Sequence, residues 1–336
     1  MKAILLDRVG APETSLRLGE LPIPQPGPGE VRVRMLASPI NPSDLLYIQG
    51  QYGIKPPAFP AVPGFEGVGI VEATGGGLLG KFRMGKRVAV LGSGHGNWAE
   101  FTVVKARQVF PVPSEIPDDQ AAGFFVNPLT AYALLTSVLK IQPGEWLLQS
   151  AANGALAQMI VRLAKVYGFK TINLVRRADA VDELKKLGAD HVIVEGNDSI
   201  PEAVAQIVGS TGLRCALDPV GGSTGAALVQ SLSAGGTAVL YGLLSGQPVP
   251  VDPRFLITGS KCVRGFWLSD WAKQQGVLKM LMALRKVRSW LKAGIIRTEI
   301  AATYPLDQYA EAIRTAMAPG KAGKVVFQIA ASKGEK

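Results

Sequence analysis

Strand-like and helix-like segments alternate through the middle of the 336-residue chain, and this alternation restricts the fold more than any other feature. Short runs rich in Val, Ile and Leu predict strands over 146–149, 171–175, 191–194, 215–218 and 237–241. Amphipathic stretches between them predict helices over 155–167, 181–187, 200–208 and 225–232. Helices of this length between strands imply right-handed parallel crossovers. The sequence therefore predicts an α/β fold with a doubly wound Rossmann-type parallel sheet.

The part of the chain before Asp118 has a different rhythm. An opening strand is predicted over 2–6 and an alternating strand over 31–35, on either side of a proline-rich connector at 22–29. Further apolar runs at 67–72, 87–91 and 99–104 are broken by Gly and Pro. No helical periodicity of useful length precedes Asp118, so a mainly β domain is expected.

Helix signals begin at Asp118, and Asn127 starts a second helix with Pro just inside it. After Lys261 the strand–helix pattern stops, and a long amphipathic helix over 272–293 is predicted before a closing strand at 324–329. We expect this tail to fold back on the first domain. The predicted domains are therefore a catalytic domain of residues 1–125 and 270–336 and a cofactor domain of residues 126–269.

Composition is that of a packed soluble enzyme, with 47% apolar and 18% charged residues. The first residues contain neither a signal-peptide core nor a membrane span, so we expect a cytoplasmic protein without a membrane partner. Cys215 and Cys262 are too few for a disulfide framework, and each is predicted to be a small buried thiol.

The net charge of +10 is concentrated between Arg254 and Thr298, where ten Lys or Arg residues accompany a single acid, Asp270. Such a patch either attracts an acidic partner or is the solvated face of a helix. It lacks the interleaved aromatic residues of single-stranded nucleic-acid grooves, so no nucleic-acid partner is expected.

The first predicted strand–helix turn, residues 150–158, is where a Rossmann sheet binds pyrophosphate. It is not a G-x-G-x-x-G motif, because only Gly154 remains and Ala157 stands where a small residue is needed. A plain loop explains this turn as well as a cofactor site does. The later turns at 218–222 and 241–243 lie at the same edge of the sheet, and their glycines serve either ligand approach or tight turns.

Two arginines, Arg176 and Arg177, end the second predicted strand about twenty residues after the turn. An acid there would bind the ribose 2′-hydroxyl of NAD, whereas guanidinium groups suit the 2′-phosphate of NADP. The pair thus favours NADPH, although two solvated surface arginines remain an alternative.

A zinc site is not expected, since two Cys and two His residues without close spacing cannot supply the usual ligands. His95 and His191 are more typical of structural residues. The best hydroxyl donor for reductive chemistry is Tyr52, which lies in a Gly-rich loop. A packing or surface tyrosine is the alternative.

Six segments make the chain resemble a known family over essentially its whole length. It is similar to the zinc-free 2-enoyl thioester reductases, from the quinone-oxidoreductase branch of the medium-chain dehydrogenases/reductases. In zinc-dependent relatives a histidine ligand stands at the position of Phe65. The matching segments are Asn41-Pro-Ser-Asp-Leu, Ile48-Gln-Gly-Gln-Tyr-Gly, Val126-Asn-Pro-Leu-Thr-Ala-Tyr, Thr171-Ile-Asn-Leu-Val-Arg, Leu187-Gly-Ala-Asp-His-Val-Ile and Arg264-Gly-Phe-Trp-Leu-Ser-Asp-Trp271.

The resemblance implies a Rossmann domain, a GroES-like catalytic domain and an NADPH-dependent enoyl reductase of fatty acid metabolism. Hydride would go to Cβ of a trans-2-enoyl thioester and a proton to Cα from Tyr52, with Asn41, Asp44 and Trp271 near the reacting atoms. The implied NADPH residues are Asn127, Thr130, Ser150, Asn153, Gly154, Ala155, Leu156, Arg176, Arg177, Tyr241, Gly242, Leu243, Phe266, Trp267, Leu268 and Lys324. A homodimer formed near residues 237–264 is also implied.

Substrate choice leaves alternatives open, because quinone and small-enone reductases share the fold and the hydride chemistry. A non-catalytic NADPH sensor is a further alternative. We hypothesise that basic residues of the predicted long helix bind an acidic acyl carrier protein or the phosphates of CoA; they are Lys279, Arg285, Lys286, Arg288 and Lys292.

Overall fold

The computed structural model describes residues 1–92, 96–196, 199–318, 320 and 323–330, so His95 lies outside the described residues. Its strands are β1 Lys2–Leu6, β2 Leu16–Glu20, β3 Glu30–Pro39, β4 Glu66–Thr74, β5 Arg87–Leu91, β6 Phe101–Lys105, β7 Val109–Pro111, β8 Trp146–Gln149, β9 Lys170–Val175, β10 His191–Val194, β11 Cys215–Asp218, β12 Thr237–Leu240, β13 Cys262–Gly265, β14 Ile300–Tyr304 and β15 Lys324–Gln328.

Its helices are α1 Pro12–Ser15, α2 Pro42–Ile48, α3 Leu78–Arg83, α4 Asp118–Ala122, α5 Val126–Ala133, α6 Ala155–Tyr167, α7 Ala180–Leu187, α8 Ile200–Val208, α9 Gly222–Ser231, α10 Pro253–Ile257, α11 Leu268–Gln274, α12 Val277–Lys292 and α13 Tyr309–Met317. Helix α5 continues as a π-helical stretch, Leu134–Val138.

The chain forms two compact units. Unit 1 comprises Met1–Asn127 and Arg288–Lys336, and unit 2 comprises Pro128–Val287. The second division falls inside α12, whereas the sequence places its second domain boundary at 269/270. The assignment of catalysis to one unit and cofactor binding to the other stays a prediction.

Unit 2 contains a six-stranded sheet in the order β10-β9-β8-β11-β12-β13, with every pairing parallel. Numbered within the sheet, this is the order 3-2-1-4-5-6 of a Rossmann fold. Its central strands carry continuous apolar residues because helices cover both faces of such a sheet. The core on one face includes Leu148, Ile172, Ala216 and Leu228.

Unit 1 is built on a mainly antiparallel sheet in the order β14-β15-β3-β4-β5-β7, with β6 also paired to β3. The closing strand β15 pairs with the end of β3, where Val326 lies opposite Pro39. The tail therefore folds back on the first domain, as predicted. The mixed architecture confirms the predicted fold class.

Several features of the fold differ from the sequence prediction, among them the unpredicted strand β14 and helix α13. Helices α1, α2 and α3 precede Asp118, where no helix was predicted. Each has only four to seven residues, which is too short to show a helical periodicity in the sequence. The predicted long helix is divided into α11 and α12 at Gln275, whose backbone is extended, and Gly276. Strand β13 was expected only as a strand-like stretch around Cys262, without bounds, and as the outermost strand it has no long apolar run.

The two cysteines also differ from one another. Cys215 is buried in β11, as predicted, and burial raises the pKa of its thiol to about 12. Cys262 is exposed, so the prediction of a buried thiol is wrong there. Among the described residues, no helix is both long enough and apolar enough to cross a lipid bilayer.

Candidate active site

Tyr52 lies just beyond α2, on a turn in which the Gln51 N–H donates to the Leu46 carbonyl at 2.8 Å. Its ring is half-buried, with its centroid 5.1 Å from that of Phe65. Phe65 also contacts Tyr47 edge-on at 5.4 Å. The turn and the aromatic contacts hold the Tyr52 ring in one place while leaving part of it accessible to a ligand.

A network of four buried polar residues, which we call the buried network, lies in the same unit: Asn41, Asp44, Glu66 and Lys324. The Asn41 side-chain amide donates to Glu66 Oε1 at 3.0 Å, and Lys324 Nζ donates to Asn41 Oδ1. Asp44 accepts the backbone N–H groups of Asn41 at 2.7 Å and of Phe65 at 2.9 Å. The network therefore joins the start of α2 to β4 and β15.

Burial acts in opposite directions on the acid and the base of this network. It raises the pKa of the Asp44 carboxyl to about 7, although two backbone N–H donors oppose the change. Burial lowers the pKa of the Lys324 ammonium, although the charges of Glu66 and Asp44 oppose that change. Both shifts have the same cause, since a desolvated site disfavours the charged form of either group.

The residues predicted to lie near the reacting atoms are divided between the units. Asn41, Asp44 and Tyr52 lie together in unit 1. Trp271 belongs to unit 2, where it is buried and its ring centroid lies 6.4 Å from that of Tyr132. Its indole N–H has no hydrogen-bond partner within the described ranges.

The first strand–helix turn of unit 2 presents an open helix N-terminus. Gly154 is the N-cap of the thirteen-residue helix α6, and no side chain caps it. The N–H groups of the first turn, which include Ala155 and Leu156, therefore remain available to an anion. Ala151 adopts a positive φ of 45° in this turn, a conformation that favours glycine.

Asp218 connects the loops that follow β8 and β11 by hydrogen bonds. It was not identified from the sequence as a separate functional candidate. Its fully buried carboxylate accepts the Ser150 hydroxyl and the backbone N–H groups of Val220 and Gly221, each of the latter at 2.9 Å. Ser150, a predicted NADPH residue, is thus fully buried and bonded within the protein. An acid placed directly after an apolar strand and before Pro-Val-Gly-Gly is the sequence signal for this role.

The two arginines at the end of β9 are both exposed but have different neighbours. Arg177 forms an ion pair with Asp179 at 3.1 Å. Arg176 has one acid nearby, Glu195. Burial raises the pKa of the Glu195 carboxyl, and the positive charge of Arg176 lowers it by a smaller amount. Arg176 is therefore the less constrained of the two cations for a phosphate ligand.

Other predicted NADPH residues of unit 2 follow the carboxyl ends of the parallel strands. Tyr241 and Gly242 come after β12, and the Phe266 N–H donates to the Leu240 carbonyl at 2.8 Å. Leu243 is exposed, while Phe266, Trp267 and Leu268 are half-buried. The glycine at 242 is required by the protein itself, because a Cβ there would lie 2.7 Å from the Pro219 carbonyl oxygen.

Not all of the predicted NADPH residues lie in unit 2. Thr130 is buried and Asn153 half-buried in unit 2, whereas Asn127 and Lys324 belong to unit 1. The open α6 N-terminus, the exposed guanidinium groups and the half-buried aromatic residues fit a phosphorylated dinucleotide. No group of three or more His, Cys, Asp or Glu side chains suited to a metal ion lies in the described part of the chain. His191 packs on Trp146, with ring centroids 5.5 Å apart.

Comparison with known proteins identifies both parts of the chain. Residues 27–114 match the alcohol dehydrogenase GroES-like domain, and residues 155–283 match the zinc-binding dehydrogenase domain. The mitochondrial enoyl-[acyl-carrier-protein] reductase of Homo sapiens is 35% identical over 97% of this chain and 88% of its own length.

Solved structures agree with this result. A Bacillus thuringiensis protein described provisionally as an NADPH:quinone reductase is 31% identical, with a TM-score of 0.91 over 98% of this chain and 99% of its own. The Etr1p/NADP/crotonyl-CoA complex has 25% identity and a TM-score of 0.84, over 97% of this chain and 99% of that one. The family predicted from the motifs is confirmed: the chain belongs to the enoyl reductase and quinone oxidoreductase branch of the medium-chain dehydrogenases/reductases and is an oxidoreductase.

Proposed function

We propose that this protein is an NADPH-dependent reductase of the C=C bond of trans-2-enoyl thioesters. The observation that carries the proposal is the placement of Tyr52, a half-buried phenol held against Phe65 beside the buried network. The curated relatives named as enoyl-[acyl-carrier-protein] reductases and the Etr1p complex with NADP and crotonyl-CoA support the same substrate class.

NADPH, when bound, supplies a hydride to Cβ of the enoyl thioester. Tyr52 donates its phenolic proton to Cα, so that a hydride and a proton together saturate the double bond, and solvent reprotonates the phenolate. A neutral phenol suits this role because it stabilises the developing enolate by a hydrogen bond before it transfers the proton. Asn41 and Asp44 fix the start of the helix that leads to Tyr52.

The unit 2 residues that would hold NADPH are those that follow the carboxyl ends of its parallel strands. The open N-terminus of α6 would bind the pyrophosphate, and Arg176 the 2′-phosphate. Phe266 and Trp267 offer apolar surface to a nicotinamide ring.

The test is NADPH oxidation with crotonyl-CoA and longer trans-2-enoyl-CoAs, followed at 25 °C. In Tyr52→Phe we expect kcat to fall about 100-fold or more, the usual contribution of a general acid. Tyr309→Phe is the matched control, since its hydroxyl makes only a 3.4 Å bond to the Leu16 carbonyl, and its kcat should stay within about twofold. Absence of thioester-dependent NADPH oxidation in the wild-type protein would disprove the proposed function.

A second candidate function is quinone reduction with the same cofactor. It is favoured by the high structural similarity to the Bacillus thuringiensis protein described as an NADPH:quinone reductase. The two functions are distinguished by kcat/KM, and a value about tenfold higher for a quinone corresponds to about 1.4 kcal/mol of transition-state preference.

The proposed partner is CoA or an acidic acyl carrier protein bound by basic residues of α12. Lys279 and Arg285 are exposed, whereas Lys292 lies 3.5 Å from Glu115. If these cations bind the CoA or carrier-protein part of the thioester substrate, the KM for that substrate should rise with salt as the charges are screened. A KM independent of salt would contradict this assignment.

We also propose that the protein is a homodimer formed along β13. This strand is the outermost one of its sheet, and the segment between β12 and β13 contains the exposed apolar residues Leu244 and Ile257. Unpaired edge strands of this kind pair readily with a second chain. Elution as a monomer on sizing chromatography would contradict the dimer.

A further inference from the structure

Glu66 is a fully buried carboxylate that the chemistry proposed above does not use. It begins β4, and each of its oxygens has a partner. Oε1 accepts the Asn41 side-chain amide at 3.0 Å, and Oε2 accepts the backbone N–H groups of Phe125 at 2.9 Å and Val126 at 2.8 Å. One side chain thus satisfies three donors from two other segments of unit 1.

Each of these segments carries a residue of the candidate site. Asn41 is the N-cap of α2, and the chain passes from α2 directly into the turn that bears Tyr52. Val126 is the first residue of α5 and precedes Asn127, a predicted NADPH residue of the same unit. Glu66 also follows Phe65, whose N–H bonds to Asp44 and whose ring packs on Tyr52.

We propose that Glu66 is a positioning residue of the reduction: its carboxylate fixes Asn41, Phe65 and the start of α5, and through them it sets the orientation of Tyr52. The proposal rests on the proposed function in one respect: a change in the orientation of Tyr52 lowers kcat only if Tyr52 is the proton donor. Glu66 has no solvent-exposed surface, so it acts through these partners and not on the substrate directly.

A carboxylate is required here because all three partners are hydrogen-bond donors. In Glu66→Gln the side chain has nearly the same shape but only one acceptor oxygen. Its amide N–H group must then face either the Asn41 amide or the two backbone N–H groups of α5. One set of buried donors is left without an acceptor, so the segments are expected to move apart.

The first experiment compares Glu66→Gln with Glu72→Gln. Glu72 lies on the same strand but is partly exposed, and it pairs with Arg34 at 2.6 Å. We expect kcat for enoyl thioesters to fall at least tenfold in Glu66→Gln with KM changed less than twofold, and neither to change in Glu72→Gln. In a Tyr52→Phe background Glu66→Gln should cause little further loss, since one route of action has already been removed. A full additional loss there would overturn the proposal.

The second experiment does not depend on activity. A 3-fluorotyrosine placed at position 52 reports the environment of that ring by ¹⁹F NMR. We expect one narrow signal in the otherwise wild-type protein and in Glu72→Gln, and a shifted or broadened signal in Glu66→Gln. An unchanged signal in Glu66→Gln would overturn the proposal even if the enzyme is active.

The two proposals fail in different ways. If Tyr52→Phe retains full turnover, the proposed function of Tyr52 is wrong, while the fluorine signal still decides whether Glu66 orients the ring. If Glu66→Gln does not fold, Glu66→Asp takes its place, because it keeps a carboxylate but is one methylene shorter and cannot reach the Asn41 amide and the Phe125 and Val126 N–H groups together. We then expect a smaller change of the fluorine signal, and no change would contradict the proposal.

Discussion

Charged groups occur both in the buried network of unit 1 and after strand β9 of unit 2, but they differ in their exposure to water. In unit 1 the Lys324 ammonium is 6% exposed and lies among Asn41, Asp44 and Glu66. In unit 2 the side chains of Arg177 and its partner Asp179 are 52% and 66% exposed. The protein shields the charges of the buried network from water, whereas water surrounds the charges of Arg177 and Asp179.

This difference determines what each group can do. Buried charges interact strongly and are stable only when every partner is present, so they fix geometry and affect folding. Exposed charges contribute little to stability, because water and salt screen them, but they remain available to a ligand. We therefore expect substitutions in the buried network to change stability and substitutions at the exposed arginines to change cofactor affinity.

The largest effect is expected from Lys324→Met, which keeps the length of the side chain but removes its charge. Asp44 and Glu66 then lose their only cation within the buried network, and breaking such a group typically lowers the free energy of unfolding by about 3–5 kcal/mol. The measurement is hydrogen exchange of peptides that cover β3, β4 and β15. Lys273→Met is the control, since its exposed pair with Asp270 should be worth less than about 1 kcal/mol. Equal losses in the two variants would contradict the comparison.

A second effect concerns the dependence of stability on pH. The pKa of Asp44 rises from 3.8 to about 7 on folding, so the folded protein holds this proton at a pH where the unfolded chain has lost it. The contribution to stability is full below about pH 4 and is lost as the pH rises through 7. At 1.36 kcal/mol per unit, it amounts to about 4 kcal/mol over the whole range.

The non-titrating variant Asp44→Asn isolates this contribution. We expect the stability difference between wild type and variant to decrease from pH 4.5 to pH 8, as measured by the same hydrogen exchange at both values. A difference that stays constant, or that increases with pH, would show that Asp44 is charged throughout this range.

The two regions also differ in how well the sequence predicts them. The strands β8, β10 and β11 and the helices α6 and α8 have the predicted bounds, because each strand is a short apolar run and each helix an amphipathic run with a clear end. The location of Arg176 and Arg177 could also be predicted, since their position after β9 follows from the strand order alone.

The buried network was not predictable as a unit. Its residues are separated by up to 283 positions, as for Lys324 and Asn41, and their contact follows from the antiparallel pairing of β15 with β3. Glu66 was not singled out from the sequence, although an acid at the start of a buried strand requires hydrogen-bond donors. The short helix α2 could have been inferred from Asn41-Pro-Ser-Asp44, in which Asp44 accepts the N-cap N–H.

A smaller effect is expected at the exposed arginines. Arg176→Ala should raise the KM for NADPH about tenfold, the loss of roughly 1.4 kcal/mol of phosphate binding, and leave the KM for NADH unchanged. Arg177→Ala should raise it less, since Asp179 already occupies that guanidinium. Steady-state kinetics with both cofactors measure this, and Arg254→Ala, in an exposed pair on α10, serves as the control. A larger effect of Arg177 would reverse the assignment of the 2′-phosphate.

The smallest effect is expected in the glycine-poor turn between β8 and α6. Ala151 has a φ of 45°, where an L-residue is disfavoured by about 1–2 kcal/mol and glycine is not. Part of the gain from Ala151→Gly is offset by the greater flexibility of glycine in the unfolded chain, so a net stabilisation of about 0.5 kcal/mol is expected. Ala152→Gly should instead destabilise by about 1 kcal/mol, because Ala152 is fully buried and has no positive φ. Chemical denaturation of the two variants decides between them, and destabilisation by Ala151→Gly would mean that the methyl group of this alanine makes contacts that outweigh its backbone strain.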